Sequence, residues 1–167
     1  DAELMPHNIL MNDGNSTFIT HNFLPANELN FLHSLAVMDA DLDGDLDLLA
    51  IQEEDDDQFM LYLNEGIDDS GSPLFENVYT FYRAENSYSA SRILAISDYD
   101  NDGDQDVFVG RKYGYNWFFE NQTLTGPPGD VTYHQNPEPF FIEKAVQLGI
   151  ADPEVNEIGS MGYGAAW

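Results

Sequence analysis

Two acidic runs carry most of the chemistry that this 167-residue chain could perform. DADLDGDLD, from Asp39 to Asp47, and DYDNDGDQD, from Asp98 to Asp106, each set five aspartates at alternate positions around one glycine. A loop that curls around a point makes alternate side chains converge, and the glycine at the sixth position supplies the positive φ of a tight reversal. The converging carboxylates repel one another: at about 5 Å and an effective dielectric near 20, each pair costs roughly 3 kcal/mol. A bound cation would remove that cost. Oxygen donors without nitrogen or sulfur favour Ca²⁺ or Mg²⁺ over zinc or copper. The number of oxygens on a flexible loop favours Ca²⁺, which accepts about six to eight ligands. Metal binding then becomes partly folding energy.

The residues around these runs say what must hold them. Asp39 aligned on Asp98, an offset of 59, lays VMDADLDGDLDLLA on ISDYDNDGDQDVFVG without a gap through the acidic part. Leu35-Ala36-Val37 then matches Leu94-Ala95-Ile96, and FMLYLNEG (59–66) matches NWFFENQT (116–123), pairing Asn64 with Asn121. HNILMNDGNSTF (7–18) resembles LYLNEGIDDSGSPLF (61–75), pairing Asn12 with Asn64 and Phe18 with Phe75. Recurrence at a spacing of about 50 to 60 residues marks a repeat architecture. Within each unit, short runs rich in β-branched and aromatic residues alternate with turn residues, the pattern of an antiparallel meander. Strands are expected at about 33–38, 47–52, 58–64 and 74–82, and again at about 92–97, 106–111, 115–121 and 139–143. Only IEKAVQLGI (142–150) has room for a helical turn or two, and TGPPGDVTYHQNPEP (125–139) reads as a long inserted loop.

Four strands in some 60 residues, repeated, predict an all-β chain of β-propeller blades, each a four-stranded antiparallel meander, forming an incomplete propeller segment. The expected divisions are a partial blade over 1–30 and a full blade over 31–86 holding the loop 39–47. A second full blade spans 87–157, with the loop 98–106 and the insertion 125–139, and the first strand of a further blade follows over 158–167. The chain starts at Asp1 without an initiator Met, as a processed chain or a piece of a larger one would.

Composition narrows the partners. Five basic residues (Arg83, Arg92, Arg111, Lys112 and Lys144) stand against 31 acidic ones, a formal charge of −26. No large basic patch exists for nucleic acid or for an anionic membrane surface, and no apolar run reaches the length of a membrane-spanning helix. With no cysteine, neither disulfides nor thiolate metal sites are available. The histidines (His7, His21, His33 and His134) show no metal-ligand spacing, and EEDDDQ (53–58) reads as an exposed hairpin loop. YGYNWFF (113–119) reads as core and blade-to-blade packing. No nucleophile–base pair or phosphate loop stands out.

Among known calcium loops, the EF-hand wants a bidentate glutamate at position 12, where this chain has Ala50 and Val109, and it wants helical flanks. A dockerin-type loop also wants an acid there, and thrombospondin-type repeats need cysteines. D-x-D-x-D-G-D-x-D between short apolar strands, followed by LYLNEG and PLFENV, resembles the FG-GAP or VCBS repeat family, the blades of integrin-α-like propellers and of many secreted bacterial proteins. SMGYGAAW (160–167) is similar to the segment preceding such a loop. The resemblance implies two Ca²⁺ sites. One has side-chain ligands Asp39, Asp41, Asp43 and Asp47 with the carbonyl of Asp45; the other has Asp98, Asp100, Asp102 and Asp106 with the carbonyl of Asp104. The Asp45 and Asp104 side chains are then expected to face solvent or support the loop. The expected function is that of a secreted, extracellular or cell-surface module, binding a protein or glycan partner or self-assembling through open blade edges. The alternative is the propeller portion of an extracellular lyase or hydrolase.

Overall fold

The computed structural model describes residues 7–24, 32–52, 58–82, 91–111, 115–135 and 137–151. The expected terminal strand 158–167 and the acidic stretch 53–57 lie outside them.

Two four-stranded antiparallel sheets form the body. The first runs β3 (Leu32–Met38), β4 (Asp47–Gln52), β5 (Gln58–Ile67) and β6 (Pro73–Tyr82), in that spatial order. The second runs β7 (Ser91–Ser97), β8 (Asp106–Arg111), β9 (Trp117–Asn121) and β12 (Phe141–Glu143). Both are meanders, with each strand pairing with the next of its unit, as in propeller blades. Ahead of them, β1 (His7–Asn12) and β2 (Phe18–Leu24) form a separate hairpin, the place expected for a partial blade.

Strands β4 and β5 read as near-continuous apolar runs because both faces are covered. One face of the first sheet (Leu49, Ile51, Phe59, Leu61, Leu63) packs against Val107, Val109, Trp117, Phe119 and Phe141 of the second. The Phe59 and Phe119 rings stack there, with centroids 4.3 Å apart and planes 9° apart. The opposite face of the first sheet (Leu48, Ala50, Met60, Tyr62) meets Ile9 from the leading hairpin. The far face of the second sheet carries Phe118 against Ala145 and Ala151. Ala145 lies on α1 (Ala145–Leu148), a single turn that stops at Gly149 in the left-handed conformation. Within the aromatic run, Trp117, Phe118 and Phe119 are fully buried and Tyr115 is half-buried, while Tyr113 and Gly114 lie outside the described residues. No described helix is long and apolar enough to cross a membrane.

The repeat is visible atom by atom. Asn12, Asn64 and Asn121 each accept a backbone N–H from two residues ahead, Gly14, Gly66 and Thr123, at 2.8–3.0 Å. Each also faces a phenylalanine across its ladder: Phe18, Phe75 and Phe141. In the third copy the chain between Asn and Phe is much longer. It is not simply a loop, for it contains its own small hairpin, β10 (Leu124–Thr125) with β11 (Thr132–Tyr133).

Candidate metal centre

Loop 39–47 joins β3 to β4, and loop 98–106 joins β7 to β8. Both connect the first strand of a sheet to the second, so the repeat places them equivalently. Their backbones match: Gly44 and Gly103 take φ of 98° and 110°, and two residues earlier Leu42 and Asn101 take 63° and 60°. Asparagine tolerates that left-handed region far better than leucine, so the first loop holds a strained residue that the second avoids.

Turn hydrogen bonds build the same cradle twice. The Gly44 N–H donates to Asp39 Oδ2 at 3.1 Å, and the Gly103 N–H donates to Asp98 Oδ2 at 3.2 Å. The Asp45 N–H reaches Asp43 Oδ1 at 2.9 Å, and the Asp104 N–H reaches Asp102 Oδ1 at 3.2 Å. Within these cradles Asp39, Asp41 and Asp43 bring carboxylate oxygens within 4.8 Å of one another, as do Asp98, Asp100 and Asp106. Neither group gathers all four expected side chains: Asp47 stands outside the first and Asp102 outside the second.

The last aspartate of each run has a second task. Asp47 accepts the Ala40 N–H on Oδ2 at 2.7 Å and the Asn64 N–H on Oδ1 at 2.9 Å. Asp106 does the same with Tyr99 at 2.9 Å and Asn121 at 3.0 Å. Each carboxylate pins its loop to the third strand of its own sheet. A carboxylate has roughly four lone-pair sites, so two N–H bonds leave room for a cation.

Asp45 and Asp104 differ although the repeat makes them equivalent. Asp45 is exposed. Asp104 is fully buried, its Oδ2 accepting the Leu124 N–H at 2.6 Å. The start of the insertion covers Asp104 in the second loop, whereas the insertion meets the first loop through the Tyr133 hydroxyl on the Asp41 carbonyl.

Electrostatics separates these acids from others in the chain. Asp13 and Asp68 sit in exposed hairpin turns where neighbouring hydroxyl and N–H donors hold their carboxyls below the ordinary value. In the acidic runs burial wins: it pushes Asp47 up to about 6 and Asp106 to about 7, and it raises Asp41, Asp102 and Asp104 as well. Asp39 Oδ1 and Asp104 Oδ1 are buried with no hydrogen-bond partner. Two of the described cations sit elsewhere, with Lys144 paired to Glu120 and Arg111 lying over Trp117. Crowded, desolvated carboxylates and an orphaned oxygen suit a hard divalent ion.

The signs of these shifts fix a pH dependence. Asp47 and Asp106 have folded values above their unfolded 3.8, so the native state binds more protons than the unfolded chain. Their contribution is therefore fully present below pH 3.8 and is lost as pH rises through about 6 to 7. In chelator, the melting midpoint is expected to fall between about pH 4 and pH 7. Saturating calcium should flatten or reverse that slope, because the ion favours the ionised acids. A midpoint in chelator that rises with pH would contradict the burial of these groups.

The FG-GAP-like repeat family model matches residues 39–109. The chain carries an FG-GAP-like repeat. The matched stretch begins at the first aspartate of one loop and ends just past the last aspartate of the other. No curated protein and no solved structure matches the chain.

The FG-GAP-like loops are legible in the sequence, but one pairing in the insertion is not. Thr125 Oγ1 and His134 Nε2 lie 2.8 Å apart across the β10–β11 hairpin. The Pro- and Gly-rich chain between them has no periodicity to bring them together. The sequon at Asn121-Gln122-Thr123 is closed to modification in the folded chain. Asn121 is fully buried, and its Nδ2 donates to the Ala40 carbonyl at 2.9 Å. Asn15, in a second glycosylation sequon at Asn15-Ser16-Thr17, is exposed in the β1–β2 turn.

Proposed function

We propose that this FG-GAP-like chain is a calcium-stabilised propeller module of the extracellular or cell-surface space, whose work is interaction and assembly rather than catalysis. The observation that carries the calcium reading is the repeated three-carboxylate cluster, set in matching backbone cradles and accompanied in the first loop by the buried, unpartnered Asp39 Oδ1. Asp39, Asp41 and Asp43 would hold one ion, and Asp98, Asp100 and Asp106 the other, with Asp47 and Asp102 close at hand. Calcium there neutralises the converging charge and fixes the loops. Extracellular modules of this kind bind at roughly 10⁻⁴ to 10⁻³ M, which fits a calcium-rich exterior.

The assembly reading is supported by the exposed first strand of the first sheet, on the face whose centre meets Ile9. Leu94 and Ile96 of the second sheet pack into the core between the sheets. Their repeat equivalents on the first, Leu35 and Val37, are 49% and 55% exposed. Apolar pairs at that register position suit a further sheet of the same kind.

The test is thermal unfolding with Ca²⁺, with Mg²⁺ and with chelator, on the wild type and on Asp43→Ala combined with Asp100→Ala, one member of each carboxylate group. Calcium should raise the midpoint, magnesium should raise it less, and the double substitution should abolish the gain. A midpoint indifferent to metal would leave the runs as acidic turns.

A further inference from the structure

We propose that the recess beside the insertion in the second sheet binds one neutral sugar residue. Three observations lead there.

The insertion is particular to one copy. Where the first sheet turns back at Asp68–Ser72, with the Asp68 N–H donating to the Ser72 carbonyl at 2.8 Å, the second runs from Asn121 to Phe141 before resuming its ladder. Extra chain in a single repeat tends to mark a binding face.

The insertion is also built to hold its shape. The Leu124 N–H is held by Asp104, and the Thr123 hydroxyl donates to the Ala40 carbonyl at 2.7 Å. The His134 N–H donates to the Thr123 carbonyl at 2.8 Å, and the Tyr133 hydroxyl to the Asp41 carbonyl at 3.2 Å. Its tip closes on Gly126, where an added Cβ would lie 2.6 Å from the Asp130 carbonyl oxygen. The hairpin is thus anchored to both acidic loops, and little ordering remains to oppose a ligand.

Behind the hairpin lies a recess of about 320 Å³, bordered by Gln122, Thr125, His134, Glu138, Pro139 and Ile142. That is the lower end of small-molecule sites. Its chemistry is acceptor-rich. The Gln122 Nε2 is already spent on the Glu120 and Asn121 carbonyls and on Glu120 Oε1, so its Oε1 is what it can offer a ligand. Glu138 adds a carboxylate, and Thr125 adds a hydroxyl oriented by His134. Pro139 and the 40% exposed Ile142 supply an aliphatic wall. Several hydroxyl donors on one edge and a C–H face on the other describe a pyranose ring. Glu138 and the chain's formal charge of −26 turn anions away.

The reading leans on the calcium proposal only for rigidity, so the two can fail separately. Saturation-transfer NMR and calorimetry would use the methyl glycosides of glucose, galactose, mannose, fucose and N-acetylglucosamine, with tetramethylammonium as a cationic probe. The proteins would be the wild type, Glu138→Ala and Thr125→Ala, in calcium. At least one glycoside should bind, and each substitution should weaken it about tenfold, the loss of one hydrogen bond to a charged or oriented group, with the melting midpoint unmoved. The proposal falls if no glycoside binds a protein that melts normally, if only the cation binds, or if binding ignores both substitutions. Glycoside binding by a protein whose midpoint ignores calcium would keep the recess and discard the calcium sites.

Discussion

Phe119→Ala is expected to destabilise the chain by about 3–5 kcal/mol, and Phe59→Ala by a similar amount. Phe119 is fully buried on β9, Phe59 equally so on β5, and each ring is the other's stacked partner across the two sheets. Phe119 also meets Phe81, Trp117 and Phe141 edge to face, with centroids 5.1, 6.0 and 6.2 Å away. Truncating it removes the transfer energy of one large ring and leaves a void that its aromatic neighbours are too stiff to fill. Stacked pairs contribute about 0.5–1.5 kcal/mol beyond their burial, so the double substitution should cost less than the two single costs added, by about that amount. Urea unfolding in calcium measures all three. If either single substitution cost under about 1 kcal/mol, the sheets would not pack on each other in solution, and the blade arrangement would lose its main seam.

The strands that form that seam are legible in the sequence, because apolar, β-branched and aromatic residues crowd positions covered on both sides, as in LLAIQ and WFFEN. The asparagine turns are legible because the same residue recurs in each unit and does the same thing each time. Phe141 is harder to see than Phe18 and Phe75 because the insertion pushes it far down the chain, although it faces Asn121 just as they face Asn12 and Asn64. The unlike fates of Asp45 and Asp104 are hidden for the same reason. Sequence periodicity makes them equivalent, and only the long-range N–H of Leu124 draws one of them under cover. The hairpin of the insertion is two residues a side, too short for any periodicity to show. Local patterns are read from sequence; contacts that depend on where an insertion folds back are not.

The final aspartate of each run makes the sharpest test of how the loops are held. Asp106→Ala should cost roughly 2–6 kcal/mol in calcium, because it strands two buried N–H donors, Tyr99 and Asn121, at about 1–3 kcal/mol each. Asp47→Ala should behave alike through Ala40 and Asn64. Asp43→Ala should cost only what calcium contributes, since Asp43 is exposed and its Oδ1 holds just the N–H of Asp45. In chelator the Asp106→Ala loss shrinks, because alanine also removes a carboxyl that burial pushes up to about 7. Hydrogen exchange separates the roles locally. Asp106→Ala should release the Tyr99 and Asn121 amides whether or not calcium is present, whereas Asp43→Ala should leave the Ala40 and Asn64 amides protected. If the two substitutions proved interchangeable in both stability and exchange, the last aspartates would serve the ion alone, and the pinning of loop to third strand would have no energetic weight. If they differ as expected, each acidic run divides its labour: its last aspartate fastens the loop to the sheet, Asp106 while also facing the ion, and its leading aspartates serve the ion.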